Sequence, residues 1–313
     1  MPVEERTTHT RISIDNVLFA TDFTVTAQAA LPYALAICRH HGSTLHAVHV
    51  IPEIFQFVRG ETPAPDALES GHEALRRTAT ERMMNLSPGL ENVPHHVYIC
   101  RGDVWSVVSH IIGKEHIDLV VLGTHGRSGV GKLMLGSVAE EILRQAPCPV
   151  LTVGREASRG LKQEFEPNGQ VLAPEEVDFQ EILWATSLPP ESTNVADLAV
   201  SLAQEFQARL GVLHVMPERE RGRTIPAEWA LRELEKLVPG ESKLWSEPGL
   251  IIKFGPPAEC ILLAAAERKA DLIVLGVRSA GPHLRAATHL SSAIAHRVIA
   301  EAGCPVLTMR NSD

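Results

Sequence analysis

Short apolar runs alternate along the chain with longer stretches in which apolar residues recur at helical spacing. In the first half, the runs predict buried parallel strands at 17–20, 45–50, 97–100, 119–122 and 149–153. The stretches between them predict helices at 27–41, 66–86 and 104–116 and one ending at Gln145. Pro32 is expected near the start of its helix, and Gly42 is expected to end that helix. Strands that alternate with helices predict an α/β fold with a doubly wound parallel sheet.

The second half of the chain repeats the pattern of the first. Residues 182–186 (ILWAT) echo 17–21 (VLFAT) at an offset of 165, and 271–276 (DLIVLG) echo 118–123 (DLVVLG) at 153. The segment 304–308 (CPVLT) repeats 148–152 at an offset of 156. Stepwise offsets indicate a duplicated domain with altered loop lengths. The predicted organisation is an N-terminal arm, a first domain, a charged linker containing Pro and Gly, and a second domain: 1–15, 16–154, 155–178 and 179–310.

Composition narrows the classes of protein to consider. The 313 residues allow about two domains, and a hydrophobic content of 44% is ordinary for a globular chain. A net charge of −9 argues against non-specific binding to nucleic acid or anionic membranes. Five scattered cysteines without a CxxC pair fit a reducing compartment. The N-terminus lacks the apolar core of a signal peptide, and no stretch could span a membrane, so we expect a cytoplasmic protein.

A glycine-rich loop between a strand and a helix is the main candidate for chemistry. The apolar run that ends at Leu122 is followed by Gly123, Gly126 and the pair Gly136-Ser137. Glycines allow backbone to approach an anion, and the free N–H groups of a helix start point toward it. Ser137 is expected to be the N-cap of the helix. The loop alone does not distinguish phosphate binding from a simple need for positive φ.

The spacing of these glycines resembles the ATP-binding signature of the universal stress protein family. It lacks the Gly-Lys-Ser/Thr ending of a P-loop and is not a GxGxxG motif. Two copies of a five-strand pattern, each closing with a Cys-Pro-Val strand, look like a tandem universal stress protein. The resemblance implies two adenine nucleotide alpha hydrolase-like domains with strand order 3-2-1-4-5. It also implies that the two domains pair with each other through their last strands.

The same resemblance implies a set of nucleotide-binding residues in the first domain. They are a turn (Ala20, Thr21 and Asp22), a strand residue (Val50), and a loop with its flanks (Leu122, Gly123, His125, Gly126, Arg127, Gly136, Ser137 and Val138). Asp22 could accept hydrogen bonds from ribose hydroxyls, or it could cap the following helix. Arg127 could contact a phosphate, or it could lie in solvent. We assign no catalytic residue and no metal ligand. Mg²⁺ is expected to arrive with the phosphates of ATP.

The second copy departs from this signature. Ser187 stands in the place of Asp22, Ser279 in that of Gly126, and Ser291-Ser292 in that of Gly136-Ser137. Pro282 also removes a backbone donor from the loop. We therefore expect the second domain to bind ATP weakly or not at all.

Three functions remain open from the sequence. The first is an ATP-binding regulator in the stress response, whose partner is an adenine nucleotide. The second is an enzyme, either a slow ATPase or a nucleotidyl-transfer catalyst, because fold alone does not decide activity. The third is a tandem scaffold that binds another ligand. Whether the chain is a monomer or a homodimer is also open.

Overall fold

The computed structural model describes residues 12–51, 65–124, 135–160, 177–188, 193–238, 242, 244–278 and 289–311. Contacts within the chain divide it into two compact units, whose main segments are Ile14–Val177 and Asp178–Val298. Among the described residues, no helix is long and apolar enough to cross a membrane.

The first unit contains a five-stranded parallel sheet. Its strands are β1 (Asn16–Ala20), β2 (Thr44–Ile51), β3 (His95–Arg101), β4 (Leu119–Gly123) and β5 (Val150–Val153). Its helices are α1 (Val25–His41), α2 (Pro65–Leu90), α3 (Val104–Lys114), α4 (Ser137–Gln145) and α5 (Arg155–Gly160). The strand order β3-β2-β1-β4-β5 confirms the predicted doubly wound topology.

The winding of this sheet reverses between β1 and β4. Both strands are parallel and adjacent, and Ala20 pairs with Leu122 at their carboxyl ends. Beneath this point lies an apolar core that includes Leu18, Val48 and Val120, all almost fully buried. In open α/β sheets such a reversal leaves a crevice above the strand ends, where ligands bind.

Helix α1 corrects one detail of the sequence analysis. It ends as predicted at Gly42, which adopts the left-handed conformation with φ of 72°. It begins earlier than predicted, at Val25 with Thr24 as N-cap, so that Pro32 lies inside the helix rather than near its start. The buried alanines and leucines of α1 maintain the helix through packing despite the lost backbone donor.

The second unit has the same topology. Its strands are β6 (Glu181–Thr186), β7 (Arg209–Met216), β8 (Gly249–Phe254), β9 (Leu272–Arg278) and β10 (Val306–Asn311). Its helices are α6 (Thr193–Glu205), α7 (Thr224–Leu237), α8 (Pro257–Arg268) and α9 (His289–Glu301), with a 3₁₀ turn at Glu218–Glu220. The order β8-β7-β6-β9-β10, with every pair parallel, matches that of the first unit.

One hydrogen-bonding device occurs in both sheets. Asp118, just before β4, accepts the backbone N–H groups of Asp15 and Asn16 at 2.8 and 2.9 Å. Asp271, just before β9, accepts those of Gln180 and Glu181, each at 2.9 Å. Each aspartate therefore fixes the start of the central strand in its sheet, which explains why the repeated DLxVLG segments begin with Asp.

At the amino ends of the strands, the first domain contains a cluster of titratable rings. His46 on β2 is 2% exposed, and its Nε2 lies 3.0 Å from the side-chain oxygen of Asn16. Its Nδ1 lies 3.4 Å from the hydroxyl of Tyr98, and its ring centroid is 5.4 Å from that of His96. Glu115, after α3, forms a side-chain hydrogen bond with Tyr98. Imidazole and phenol rings thus fill this region.

The second domain fills the equivalent region with permanent charges. Gly211 and Gly249 stand where the first domain has His46 and His96, and the Arg268 guanidinium lies over both glycines. Arg268 and Arg209 both donate to Glu181, which is 3% exposed. A buried carboxylate with two guanidinium partners is satisfied as an ion, whereas the first domain relies on rings that titrate.

The His46 cluster should make the first domain sensitive to mild acid. Burial lowers the pKa of His46 from 6.5, Glu115 opposes this shift, and the charges of His96 and Lys114 add to it. As the pH falls below about 6.5, the unfolded chain binds a proton that the folded chain resists, so the free energy of unfolding decreases. The slope from one group is at most about 1.4 kcal/mol per pH unit. His46→Gln should flatten this pH dependence of unfolding.

Urea unfolding at several pH values between 7.5 and 5.5 measures this effect. Only the slope against pH is compared, so a constant loss of stability in the variant does not matter. His110→Gln, at an exposed position of α3, is the matched control and should keep the slope of the parent. An unchanged slope in His46→Gln would show that His46 does not cause the acid sensitivity.

Candidate functional site

A cavity of about 350 Å³ lies at the carboxyl ends of β1, β2 and β4, where the winding reverses. Much of its wall is apolar, and its polar groups come from a few residues on four segments. The apolar residues include Val50, Val104, Val108, Leu122 and Ile142, and the polar ones are Thr21, Asp22, His49, Thr124 and Ser137. An apolar cavity with a few polar groups is typical of small-molecule sites.

The turn after β1 is held by a chain of side-chain hydrogen bonds. Thr21 Oγ1 accepts the N–H of Phe23 at 3.0 Å. Asp22 Oδ1 accepts both the N–H and the hydroxyl of Thr24, at 3.0 and 2.6 Å. Thr24 Oγ1 in turn accepts the N–H of Ala27 and caps α1. Asp22 therefore supports the capping residue instead of capping the helix itself, and it also lines the cavity.

His49 is a residue that the sequence analysis missed. Its Nδ1 donates to the carbonyl oxygen of Thr21 at 2.7 Å, and its ring centroid lies 4.4 Å from that of Phe23. Phe23 has φ of 63°, a left-handed conformation that costs an aromatic residue roughly 1–2 kcal/mol. The duplication contained a signal for His49, because His214 makes the same contact with the carbonyl of Thr186 at 3.0 Å.

Gly123 is required by the packing of α1 against β4. A Cβ atom on Gly123 would lie 2.6 Å from the carbonyl carbon and oxygen of Thr26 and 2.7 Å from the nitrogen of Ala27. These are backbone atoms of the first turn of α1, which cannot move aside as a flexible side chain can. The glycine thus brings the α1 turn close to the end of β4, a role independent of any ligand.

The ends of the glycine loop are joined by a backbone hydrogen bond. The Gly136 N–H donates to the Thr124 carbonyl at 2.8 Å, and the Thr124 N–H donates to Val153 at 3.1 Å. Gly136 is the N-cap of α4 and has no side chain to cap it, and Ser137 is the first helical residue. The prediction that Ser137 is the N-cap is therefore wrong. The first amides of α4 lie at the cavity, because Gly136, Ser137, Val138 and Ala139 all line it.

The structure places nine of the twelve predicted site residues around this one cavity: Ala20, Thr21, Asp22, Val50, Leu122, Gly123, Gly136, Ser137 and Val138. His125, Gly126 and Arg127 lie outside the described residues. Besides His49, the sequence analysis missed Thr124, which is fully buried, and the α3 residues Val104 and Val108. Their spacing of four residues indicated one face of a helix but not which ligand or core it faces.

Two carboxylates belong to the segments that form the cavity: Asp22 lines it, and Asp103 directly precedes the lining residue Val104. Asp103 caps α3 by accepting the N–H and hydroxyl of Ser106, each at 2.8 Å, and the backbone hydrogen bond is the main reason that its pKa is lowered. In the part of the chain that the structure describes, no group of three or more His, Cys, Asp or Glu side chains could hold a metal ion.

The equivalent segment of the second domain is built differently. Strand β9 continues to Arg278, and α9 begins at His289, so ten residues connect them. In the first domain thirteen residues connect Gly123 to Ser137. Ser291 and Ser292, predicted to replace Gly136-Ser137, therefore lie within the first turn of α9 rather than before it.

The chain belongs to the universal stress protein family, because the sequence profile of that family matches residues 13–154 and 178–310. Single relatives match about half of the chain. A universal stress protein of Thermus aquaticus is 31% identical over 138 residues, which are 44% of this chain and 96% of the relative. The universal stress protein MJ0577 of Methanocaldococcus jannaschii is 29% identical over 155 residues, 45% of this chain and 96% of the relative.

Solved structures match the fold over nearly the whole chain. A universal stress protein of Archaeoglobus fulgidus has a TM-score of 0.67 at 20% identity, covering 96% of this chain and 98% of its own. A putative universal stress protein of Pseudomonas aeruginosa has a TM-score of 0.59 at 20% identity, covering 95% and 94%. At these identities the likeness establishes the fold and not a ligand.

Adding one methyl group at Gly123 should destabilise the first domain. Gly123→Ala places a Cβ against the backbone of α1, and overpacking of this kind costs about 1–3 kcal/mol. Urea unfolding should therefore show a lower midpoint. The matched control is Gly113→Ala on α3, where a Cβ meets nothing within 4 Å and helix propensity favours alanine by about 1 kcal/mol. Equal midpoints for Gly123→Ala and the parent would contradict the close helix–strand contact.

Proposed function

We propose that the first domain binds an adenine nucleotide, ATP, and that the protein acts in the cytoplasm as a nucleotide-dependent regulator in the stress response. The observation that carries this proposal is the single cavity at the winding reversal, which is lined by nine of the residues singled out from the sequence. Its volume of about 350 Å³ lies in the range of small-molecule sites, roughly 300–1,000 Å³. Membership of the universal stress protein family agrees with this function.

The nucleoside would occupy the part of the cavity near β1 and β2. Val50, Val104 and Val108 provide apolar surface for a base, and the backbone of Val50 supplies polar groups at its edge. Asp22 follows the end of β1, where a carboxylate can accept hydrogen bonds from the two ribose hydroxyls. Such bonds to a charged group are worth about 1.5–3 kcal/mol.

The phosphates would lie at the start of α4. Without a capping side chain at Gly136, the amides of Ser137, Val138 and Ala139 are available to an anion, and the helix dipole favours negative charge there. The Ser137 hydroxyl is a further donor. When bound, Mg²⁺ would screen the charge of the phosphates, and its protein contacts would be few, since hydrated Mg²⁺ commonly binds through the phosphates.

A regulatory role requires that ATP bind one state of the protein more tightly than another. Helix α4 is well placed for such a difference, because its first residues line the cavity and Glu140, in its first turn, is exposed at the domain surface. A displacement of α4 by ATP would convert nucleotide binding into a change at the surface of the first domain.

Asp22→Asn should weaken ATP binding with little effect on folding. The asparagine oxygen can still accept the N–H and hydroxyl of Thr24, whereas the charge facing the ribose is lost. We expect the Kd measured by isothermal titration calorimetry to rise about tenfold to a hundredfold. Ser187→Ala, at the equivalent position of the second domain, is the matched control and should leave the Kd unchanged. An intact chain that binds no adenine nucleotide at millimolar concentration would refute the proposed function.

One ATP should bind per chain. The second domain has Ser187 in place of Asp22 and a shorter connection before α9, in which Ser291 and Ser292 are already helical. Equilibrium dialysis with labelled ATP should therefore saturate at one equivalent per chain. Two equivalents of equal affinity would show that the second crevice is also a competent site.

A further inference from the structure

The side chains of Phe23, His49 and Arg82, here termed the stack, come from three different elements beside the cavity. Phe23, in the turn after β1, contacts both His49 on β2 and Arg82 on α2. Its ring centroid is 4.4 Å from that of His49, and the Arg82 guanidinium carbon is 5.6 Å from the same centroid. Both spacings lie in the range of attractive ring–ring and cation–π contacts. The stack thus runs from the cavity wall, which His49 lines, to the exposed side chain of Arg82.

Phe23 needs such support because of its backbone. Its left-handed conformation turns the chain immediately after Asp22, and an aromatic residue rarely adopts it without restraint from its surroundings. The N–H of Phe23 is held by Thr21 Oγ1, and His49 holds the Thr21 carbonyl. The ring contacts therefore act on the residue whose φ sets where Thr24, the hydrogen-bond partner of the Asp22 carboxylate, lies.

Comparison with the second domain shows which of these contacts are common to both copies of the fold and which occur in the first copy alone. The contact of a histidine Nδ1 with a threonine carbonyl is present in both copies, at His49 and at His214. Asp22 and Phe23, by contrast, change together, to Ser187 and Leu188. The histidine contact therefore belongs to the sheet, and the aspartate and the aromatic ring form a pair specific to the first copy.

We propose that Phe23, which contacts both His49 and Arg82, is a positioning residue that holds Asp22 in its binding orientation and links helix α2 to the ligand in the cavity. The proposal rests on the nucleotide-binding function given above. By thermodynamic linkage, if the contact of Arg82 with Phe23 strengthens ligand binding, bound ligand must strengthen that contact by the same factor. Helix α2 should then become more protected when the cavity is filled.

Substitutions of Phe23 and Arg82 test the stack with ATP as the probe. Phe23→Leu, which introduces the residue of the second domain, should raise the Kd for ATP about tenfold. Phe23→Tyr keeps an aromatic ring and should leave the Kd within about threefold of that of the parent. Arg82→Met keeps the aliphatic stem and removes the charge, and should raise the Kd about threefold. Arg77→Met, also exposed on α2, is the matched control and should not change the Kd.

A double-mutant cycle separates positioning from general stability. If Phe23 acts through Asp22, Phe23→Leu should have little further effect on the Kd in an Asp22→Asn background. Hydrogen exchange of α2 amides should slow with ATP in the parent and respond less in Phe23→Leu. Two outcomes would overturn the proposed role of Phe23 while leaving the nucleotide site intact. One is that Phe23→Leu raises the Kd equally with and without Asp22→Asn. The other is that the parent binds ATP and Phe23→Leu does not change its Kd. A parent that binds no ATP would refute the proposed function and, with it, this proposal.

Discussion

The contact between α1 and the end of β4 determines the arrangement of the first domain. Gly123 has no Cβ, so the backbone of Thr26 and Ala27 can approach to a distance that any other residue would block. Because α1 begins close to β4, the turn that contains Asp22 is brought beside the end of the neighbouring strand. The hydrogen bond between Thr124 and Gly136 closes the other side. The cavity lies between these two backbone contacts, and two of its polar residues, Thr21 and Asp22, belong to the turn after β1.

The duplication distinguishes constraints of the fold from those of the site. The aspartate that fixes the central strand is present in both copies, at Asp118 and Asp271. At the amino ends of the strands, space is filled by rings around His46 in one copy and by the Arg268–Glu181 pair in the other. The fold therefore requires side chains to fill that region, but either aromatic rings or an ion pair can do so. At the carboxyl ends Ser187 of the second copy stands in the place of Asp22, although the strand order of the two copies is the same.

The strands could be predicted because buried parallel strands are short apolar runs separated by clear turn signals, whereas their order was implied by the resemblance to the universal stress protein family. Errors arose where packing outweighs local preference. Pro32 is tolerated inside α1 because that helix is buried over most of its length, which its local sequence did not reveal. His49 was missed because its one sequence signal was its repetition as His214, and its role depends on its contact with the Thr21 carbonyl. The other predicted ligand contacts, at His125 and Arg127, lie outside the described residues.

Gly136, the observed N-cap of α4, suits an anion site better than the predicted N-cap, Ser137. A serine at the N-cap position would use its own oxygen to accept the amide hydrogens of the first turn. A phosphate would then compete with that oxygen for the same donors. Thr24 and Asp103 fill this role at α1 and α3, where the helix start is stabilised by the protein itself. Gly136 has no side chain that could accept the first amides of α4, and under the proposed function the Ser137 hydroxyl would be a further donor to the phosphates rather than a competitor.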